Sequence, residues 1–211
     1  MTFLEVANAI QTWAGVDAYR LPTATAKQIA NWVIGDLCRK YNTPWNQDSG
    51  SQVLVAGDDT YNLPTGWKEP YRAYYLNGDG NPVLLEYYSS LASFDQDFSP
   101  GAGRESYPAA YTQWWDGLII RPKTNGGLTV YFDFYAFVED LVLDADVNDW
   151  TQYHPQLVIF RALADYVSQF LFEDPRIPVW TARANALEAD FAVQHKRNRH
   201  VADRPVTVER H

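Results

Sequence analysis

Several short segments carry residue types that could bind a cation or do acid–base chemistry, but none has a complete site pattern. The segment 144–149, "DADVND", places Asp, Asp and Asn at alternate positions, as the start of a calcium loop does. Its sixth position is Asp149 rather than glycine, and its twelfth is Pro155 rather than glutamate. Capping of the next helix, with Asp149 or Thr151 near its start, is the better interpretation. The sequence therefore predicts no metal site.

Cys38, the candidate nucleophile, and the histidines are better explained by structural roles than by catalysis or metal binding. Cys38 is the single cysteine and falls near the C-terminal end of a predicted helix, where the helix dipole disfavours a thiolate. His195 and His200 are five residues apart, so they do not share a helix face, and a third metal ligand is not evident. His154 precedes a proline and is expected to hydrogen-bond locally. We expect no catalytic residue and no cofactor.

Two further fragments only mimic active sites. "AGDDT" lies in a predicted tight turn, where Gly and Asp are ordinary, and "GAGRES" lacks the lysine of a phosphate-binding loop. One enzymatic alternative stays open, a hydrolase whose acid pair lies among Glu139, Asp140 and Asp144. Such a pair needs a defined separation across a cleft, which spacing along the chain does not provide.

Composition limits the class of partner. The chain has 211 residues, 17 basic against 26 acidic, and a net charge of -9, which argues against sequence-specific or general nucleic-acid binding. The N-terminal "MTFLEVANAI" has no cationic stretch and carries Glu5, so it does not read as a signal peptide. The apolar run from Pro155 to Phe172 is short for a membrane span and contains Arg161 and Asp165. We expect no membrane association.

Two helices are predicted in the N-terminal part of the chain. Thr2 and Glu5 fit a capping box, and Gly15 ends the helix that follows. Thr25 and Gln28 fit a second capping box, and the helix after it is expected to stop before Pro44.

Strands are predicted in the middle of the chain. "SQVLV" and "TYNL" flank the turn "AGDD", "YRAYYL" and "VLLEYY" flank "NGDGNP", and "GLIIRP" and "LTVYFDFYAF" flank "KTNGG". The last strand alternates apolar and mixed residues, which is typical of an antiparallel sheet packed on one face. The long connection 89–110 is expected to be functional or mobile.

Helical periodicity returns after residue 150. Pro155 fits the first turn of a helix expected to reach Phe172, and a further helix is expected from about Val179. The segment 195–211 has almost no large apolar residue and is predicted to be an extended arm that orders on a partner. Its basic residues are the candidate partner-binding residues: Lys196, Arg197, Arg199, Arg204 and Arg210.

These patterns predict an α+β fold. Helices from both chain ends form one bundle, with an antiparallel β-sandwich or curved sheet inserted between them. The expected boundaries are 1–48 for the N-terminal helices, 49–140 for the β region, 141–194 for the C-terminal helices and 195–211 for the arm. The aromatic residues, 15% of the chain, suit a well-filled core and extensive subunit contacts alike.

The order of these elements resembles a known family. The resemblance is carried by "IANWVIGDLCRKYNTPW", by "YNLPTGW", by "ESYPAAYTQWWDGLIIRPKTNGGLTVYFDFY" and by "NDWTQYHPQLVIFRALADYVSQFLFEDPRIPVW". In this order the segments resemble the head-to-tail adaptor (connector) proteins of tailed bacteriophages, of the podophage type that joins portal to tail. The pair Trp114-Trp115 and the basic C-terminal segment do not match that pattern.

The resemblance implies a structural virion protein at the head–tail junction, made in the host cytoplasm. It implies a homo-oligomeric ring, a dodecamer, that contacts the portal protein and the tail nozzle or fibre proteins, with DNA passing through the lumen. The helices would provide ring contacts, and the β region or the loop 89–110 would meet the tail. The alternative is a carbohydrate-binding or tail-associated recognition module that uses exposed Trp and Tyr.

Overall fold

The computed structural model describes residues 1–99, 106–171 and 173–202, which divide into two units. The helical unit comprises Met1–Tyr41 and the chain from Glu139 onwards, and the β unit comprises Asn42–Val138. Helices and a mixed sheet together make an α+β fold, which confirms the predicted class. No helix in the described ranges is both long enough and apolar enough to cross a bilayer.

The first helix, α1 (Phe3–Ala14), begins and ends where the sequence predicts. The backbone N–H of Glu5 donates to Thr2 Oγ1 at 3.3 Å, and the backbone N–H of Thr2 donates to Glu5 Oε2 at 2.8 Å, which completes the capping box. Gly15 ends the helix with φ 64°, a left-handed conformation that costs glycine little. Val6 and Ile10 are fully buried on the inner face.

The second helix, α2 (Thr23–Lys40), starts earlier than predicted. Pro22 is its N-cap residue and no side chain caps it, so the predicted box of Thr25 and Gln28 is wrong. The proline ring has no polar atom that could accept from the N–H groups of the first turn, so this helix begins without a side-chain cap. α2 packs against α1 and ends at Lys40, and the C-cap residue Tyr41 is extended.

The C-terminal helices depart further from the prediction. α4 (Asp149–Tyr153) is capped by Asn148, which forms a reciprocal pair with Thr151, and α5 (Pro155–Arg161) follows. The chain then continues as a π-helical turn over 162–166 and a 3-10 turn over 167–169, so a single helix to Phe172 is wrong. Side chains of Ser168 and Gln169 donate to carbonyls four residues earlier, which compensates the backbone acceptors freed by the irregular turns.

The last helix, α6 (Ile177–Ala202), is longer than the sequence pattern predicts. It includes residues 195–202, so the extended conformation expected for this part of the arm is wrong. These residues contain neither glycine nor proline, and the first proline after them is Pro205, so nothing in their backbone chemistry stops a helix. Residues 203–211, the rest of the predicted arm, lie outside the described residues.

The β unit contains one seven-stranded sheet with the order β1-β7-β3-β4-β5-β6-β2. Its strands are β1 (Gln47–Val53), β2 (Thr60–Asn62), β3 (Trp67–Leu76), β4 (Pro82–Tyr88), β5 (Ala110–Trp114), β6 (Gly117–Arg121) and β7 (Thr129–Ala136). The predicted β3–β4 hairpin is confirmed. The turns "AGDD" and "KTNGG" do not join paired strands, because β1 pairs with β7 and β2 pairs with β6.

The sheet is mixed, so the prediction of a purely antiparallel arrangement is wrong. β4 and β5 run parallel, with Glu86 opposite Ala110 and Tyr88 opposite Thr112. Parallel neighbours need a crossover connection, and the segment between these strands supplies it through α3 (Leu91–Asp97).

The larger of two apolar clusters in the β unit is rich in aromatic residues, and the smaller consists of Phe94, Ala110 and Ile119. Phe132 and Phe134 of β7 contact Trp67 of β3, with ring centroids 5.9 and 4.9 Å apart, and Tyr61 of β2 belongs to the same cluster. β2 and β7 are far apart in the strand order, so a shared core requires the sheet to curl around it.

Candidate functional site

The helical unit contains a charge cluster in which Lys40, Tyr41 and Arg161 surround the buried carboxylate of Glu188, and we call it the Glu188 cluster. Glu188, on α6, is 6% exposed. Its carboxylate accepts hydrogen bonds from Lys40 Nζ, from Arg161 Nη2 and, at 2.7 Å, from the Tyr41 hydroxyl. Asn185 Oδ1 accepts from Arg161 Nη2 at 3.0 Å. The cluster therefore joins the end of α2, the end of α5 and the middle of α6.

The electrostatics of the cluster keep Glu188 ionised. Burial by itself would raise the pKa of Glu188, but the hydrogen bonds from Lys40, Tyr41 and Arg161 outweigh burial and hold the pKa below its usual value. Burial and the neighbouring carboxylate raise the pKa of Tyr41, so this phenol stays a donor at neutral pH.

A second carboxylate has the opposite shift. Burial raises the pKa of Asp165, whose Oδ1 lies 3.6 Å from Arg161 Nη1. Two carboxylates with opposite pKa shifts are the groups that acid–base catalysis uses. Here, however, the Arg161 guanidinium contacts both carboxylates, and the open volume beside them is only about 200 Å³. We interpret the arrangement as a clamp between helices, since ion networks also shift pKa values.

The acidic residues of the hydrolase alternative are exposed or paired elsewhere. Glu139 and Asp140 are exposed, and Asp144 forms an ion pair with Lys27 of α2. Asp146 accepts the backbone N–H groups of Val142 and Leu143 at 2.8 and 2.7 Å, which holds its pKa below the usual value. This loop is stabilised by its own backbone, and the described residues contain no group of three His, Cys, Asp or Glu that could hold a metal ion.

His154 and Cys38 lie in packed surroundings. The His154 ring contacts Phe191 with centroids 4.9 Å apart, and burial lowers the pKa of its imidazole. Cys38 is buried on α2.

The predicted partner-binding residues are only partly within the described structure. The backbone of Lys196, Arg197 and Arg199 continues α6 as helix. Arg204 and Arg210 lie outside the described residues.

The β5–β6 hairpin ends in an exposed pair of tryptophans. Trp114 is 51% exposed and Trp115 81%, and their rings meet edge to face with centroids 6.4 Å apart. The two-residue turn consists of Trp115 and Asp116, and Trp115 has φ 55°, in the left-handed region that favours glycine. We call Trp114, Trp115 and Asp116 the hairpin tip. The adjacent tryptophans are visible in the sequence, but their exposure is not.

The helical unit also carries an open aromatic groove of about 810 Å³. Trp13 and Phe160 contact each other in it, with centroids 5.2 Å apart, and Trp13 is 54% exposed. The other lining residues come from α1, from α5, and from the start of α6 and the residue before it. The groove is lined by Thr12, Trp13, Gln156, Phe160, Arg176, Val179, Trp180 and Arg183. Sequence reasoning missed it, because its residues come from three separate helices.

Tyrosines cover part of the outer sheet surface. Tyr74 and Tyr131 stack with centroids 5.4 Å apart, and Tyr71, 46% exposed, contacts Tyr135 at 5.8 Å. These rings are mainly partners of one another across neighbouring strands.

Comparison with known proteins adds one finding. The family model described as SU10 adaptor protein matches residues 1–209, nearly the whole chain. None of the curated proteins matches.

Proposed function

The chain belongs to the SU10 adaptor protein family, a family of phage structural adaptors, and from this membership we propose that its copies form a ring between portal and tail. The observation that carries the proposal is the match over residues 1–209, which includes both units. A structural adaptor is not an enzyme, and the interpretation of the Glu188 cluster as a clamp agrees with that class.

Exposed apolar side chains on both units support an assembly role. Trp115 of the β unit and Trp13 of the helical unit are each more than half exposed. Tryptophan is enriched in protein interfaces, and contiguous apolar surface on a soluble protein marks a contact site. The finer picture, a dodecamer with DNA in its lumen, agrees with the net charge of -9, because an acidic lumen repels phosphate.

We propose that the basic C-terminal segment contacts the portal protein. Five cations lie in this segment: Lys196, Arg197, Arg199, Arg204 and Arg210. Guanidinium groups form bidentate pairs with carboxylates, so we expect them to bind an acidic surface of the portal protein. We further propose that the free chain is monomeric or weakly associated and assembles on the portal as template.

Truncation after Gln194 tests the portal contact. The truncated chain should lose most co-sedimentation with the phage's own portal ring while keeping the melting temperature of the full chain nearly unchanged. A second variant has the full length of the chain and replaces the five cations by glutamine, so that only the charge changes. It should weaken binding similarly, and the binding of the full chain should fall as salt rises. Undiminished co-sedimentation of the truncated chain would exclude this segment from the portal contact.

The alternative, a recognition module that binds carbohydrate through aromatic rings, rests on the exposed ring of Trp115. The outer tyrosines favour it less, because their rings already stack on one another. Binding of the wild-type chain to cell-surface polysaccharide that is lost in Trp115→Gly, without any portal binding, would select this alternative.

A further inference from the structure

We propose that the hairpin tip of one copy docks into the aromatic groove of a neighbouring copy. The inference rests on the proposed function, since it identifies the contact between copies in the ring. It follows from two surfaces of the same chain, one a protrusion and one a groove, whose chemistry is complementary.

The tip is built to protrude. Hairpin turns of two residues usually use glycine or asparagine where φ is positive, but here Trp115 holds φ 55° and is 81% exposed. A bulky residue in this conformation is strained, and water contact of a large aromatic ring is unfavourable. Strain and exposure at one residue indicate a function, because neither stabilises the free chain.

The groove offers an apolar floor with a cationic edge. Phe160 and Trp180 are buried at 8% and 3% exposure, while Val179 is 65% exposed. The Arg176 guanidinium lies over the Trp180 ring, 5.1 Å from its centroid, and is held by Asp174 and by the carbonyl of Ala14. An indole inserted here would contact aromatic rings beneath and guanidinium groups beside it, which favours cation–π contact.

The charges of the two surfaces also match. Asp116 follows Trp115 at the tip, and Arg183 lies on the exposed face of α6 at the edge of the groove. Within the described part of the chain, neither side chain has an ion-pair partner. Docking would place a carboxylate beside a guanidinium that is available to it, with the indole as the buried anchor.

The contact joins two different surfaces, so it is heterologous. A heterologous contact leaves each copy with a free tip or a free groove, and repetition closes into a ring when the rotation allows it. An isologous contact would stop at a dimer. A tip-to-groove contact therefore suits the proposed assembly.

Cysteine cross-linking between two kinds of full-length chain tests the contact. Cys38 is replaced by serine in both. One chain carries Asp116→Cys and the other Val179→Cys, so that Trp115 and Arg183 are kept and any disulfide must be intermolecular. We expect the mixed sample to form the 116–179 disulfide under mild oxidation, and each chain alone to form little. Tyr19→Cys, at a residue 94% exposed and outside both surfaces, replaces Val179→Cys in the control mixture and should not cross-link.

Second-site changes test whether the cross-link depends on the residues of the proposed contact. Trp115→Gly in the first chain should reduce the cross-link roughly tenfold or more, as loss of a buried tryptophan anchor does. Asp116 is a cysteine in the first chain, so Arg183→Glu in the second chain tests the guanidinium beside the inserted indole and should also reduce the cross-link. Arg20→Glu, the same change at an exposed arginine elsewhere, should not.

The same samples are examined with and without the portal ring, and co-sedimentation is measured separately. Absence of the 116–179 disulfide above the Tyr19 control under both conditions overturns the docking, whether or not the chain binds portal. If the 116–179 disulfide forms but the chain does not co-sediment with the portal ring, the proposed portal function is contradicted and the contact between copies stands.

Discussion

Removal of the charge on Glu188 should destabilise the helical unit more than any single change of an exposed acid. Glu188→Gln keeps a hydrogen-bond acceptor for Tyr41 but leaves Arg161, whose side chain is only 19% exposed, without its closest carboxylate. Breaking a buried ion pair by removing one partner costs ~3–5 kcal/mol when both groups are buried.

The cost expected here is smaller, because Lys40 reaches water and Arg161 has a second carboxylate close by. The Lys40 side chain is 62% exposed, so its share is about 0–1 kcal/mol. Arg161 can turn towards Asp165, whose Oδ1 is 3.6 Å from its Nη1, and recover part of the loss. We therefore expect Glu188→Gln to cost about 2 kcal/mol, which lowers the melting temperature by roughly 4–8 °C.

The matched control is Asp190→Asn, which makes the same charge change two residues along α6 on its exposed face. It should shift stability by less than about 0.5 kcal/mol. Urea unfolding followed by circular dichroism measures both variants, and hydrogen exchange of the α2 and α6 amides assigns the loss to the helical unit.

The pH dependence has a definite sign. The pKa of Glu188 is depressed in the folded chain, so its stabilisation is present above the ordinary glutamate value of about 4.3 and is lost as pH falls through the folded value. The difference between wild type and Glu188→Gln should therefore shrink below about pH 4. Equal stability of the two proteins at pH 7 would refute the clamp, and a difference that stays constant down to acid pH would refute its electrostatic origin.

Three further predictions use single substitutions. Thr2→Ala should cost about 1 kcal/mol by removing the capping box of α1, and thermal unfolding measures this; no loss would mean that water caps the helix equally well. His154→Phe should flatten the fall in stability between about pH 7 and pH 5, because burial lowers the pKa of His154 and the unfolded chain then binds a proton first; an unchanged pH profile from urea titrations would contradict this. Trp115→Gly should leave stability unchanged or raise it by up to about 1 kcal/mol, since glycine relieves the positive φ; a clear loss would show that the ring stabilises the fold itself.

The sequence by itself determined the local features of this protein. The capping box of Thr2 and Glu5, the helix end at Gly15, the β3–β4 hairpin and the helix start at Pro155 were all predicted. Each depends on side chains and backbone preferences within a few residues, so contiguous sequence contains the information. The resemblance to phage adaptors was likewise drawn from short segments of contiguous sequence, and the family model matches residues 1–209.

Features that depend on distant residues could not be predicted. The parallel pairing of β4 with β5 depends on the path of the crossover, and hydrophobic alternation is similar in parallel and antiparallel neighbours when one face is buried. The continuation of α6 to Ala202 was missed because composition suggested an unpaired arm, whereas helix propensity permits either outcome.

The candidate surfaces also required the tertiary structure. The Glu188 cluster joins Lys40, Arg161 and Glu188, which are separated by 148 positions between the first and the last. The aromatic groove joins Trp13 to Trp180. Burial and ion pairing are properties of the packed environment rather than of the residue type, so only the fold decided that this glutamate is enclosed and that the tryptophan at the hairpin tip is exposed.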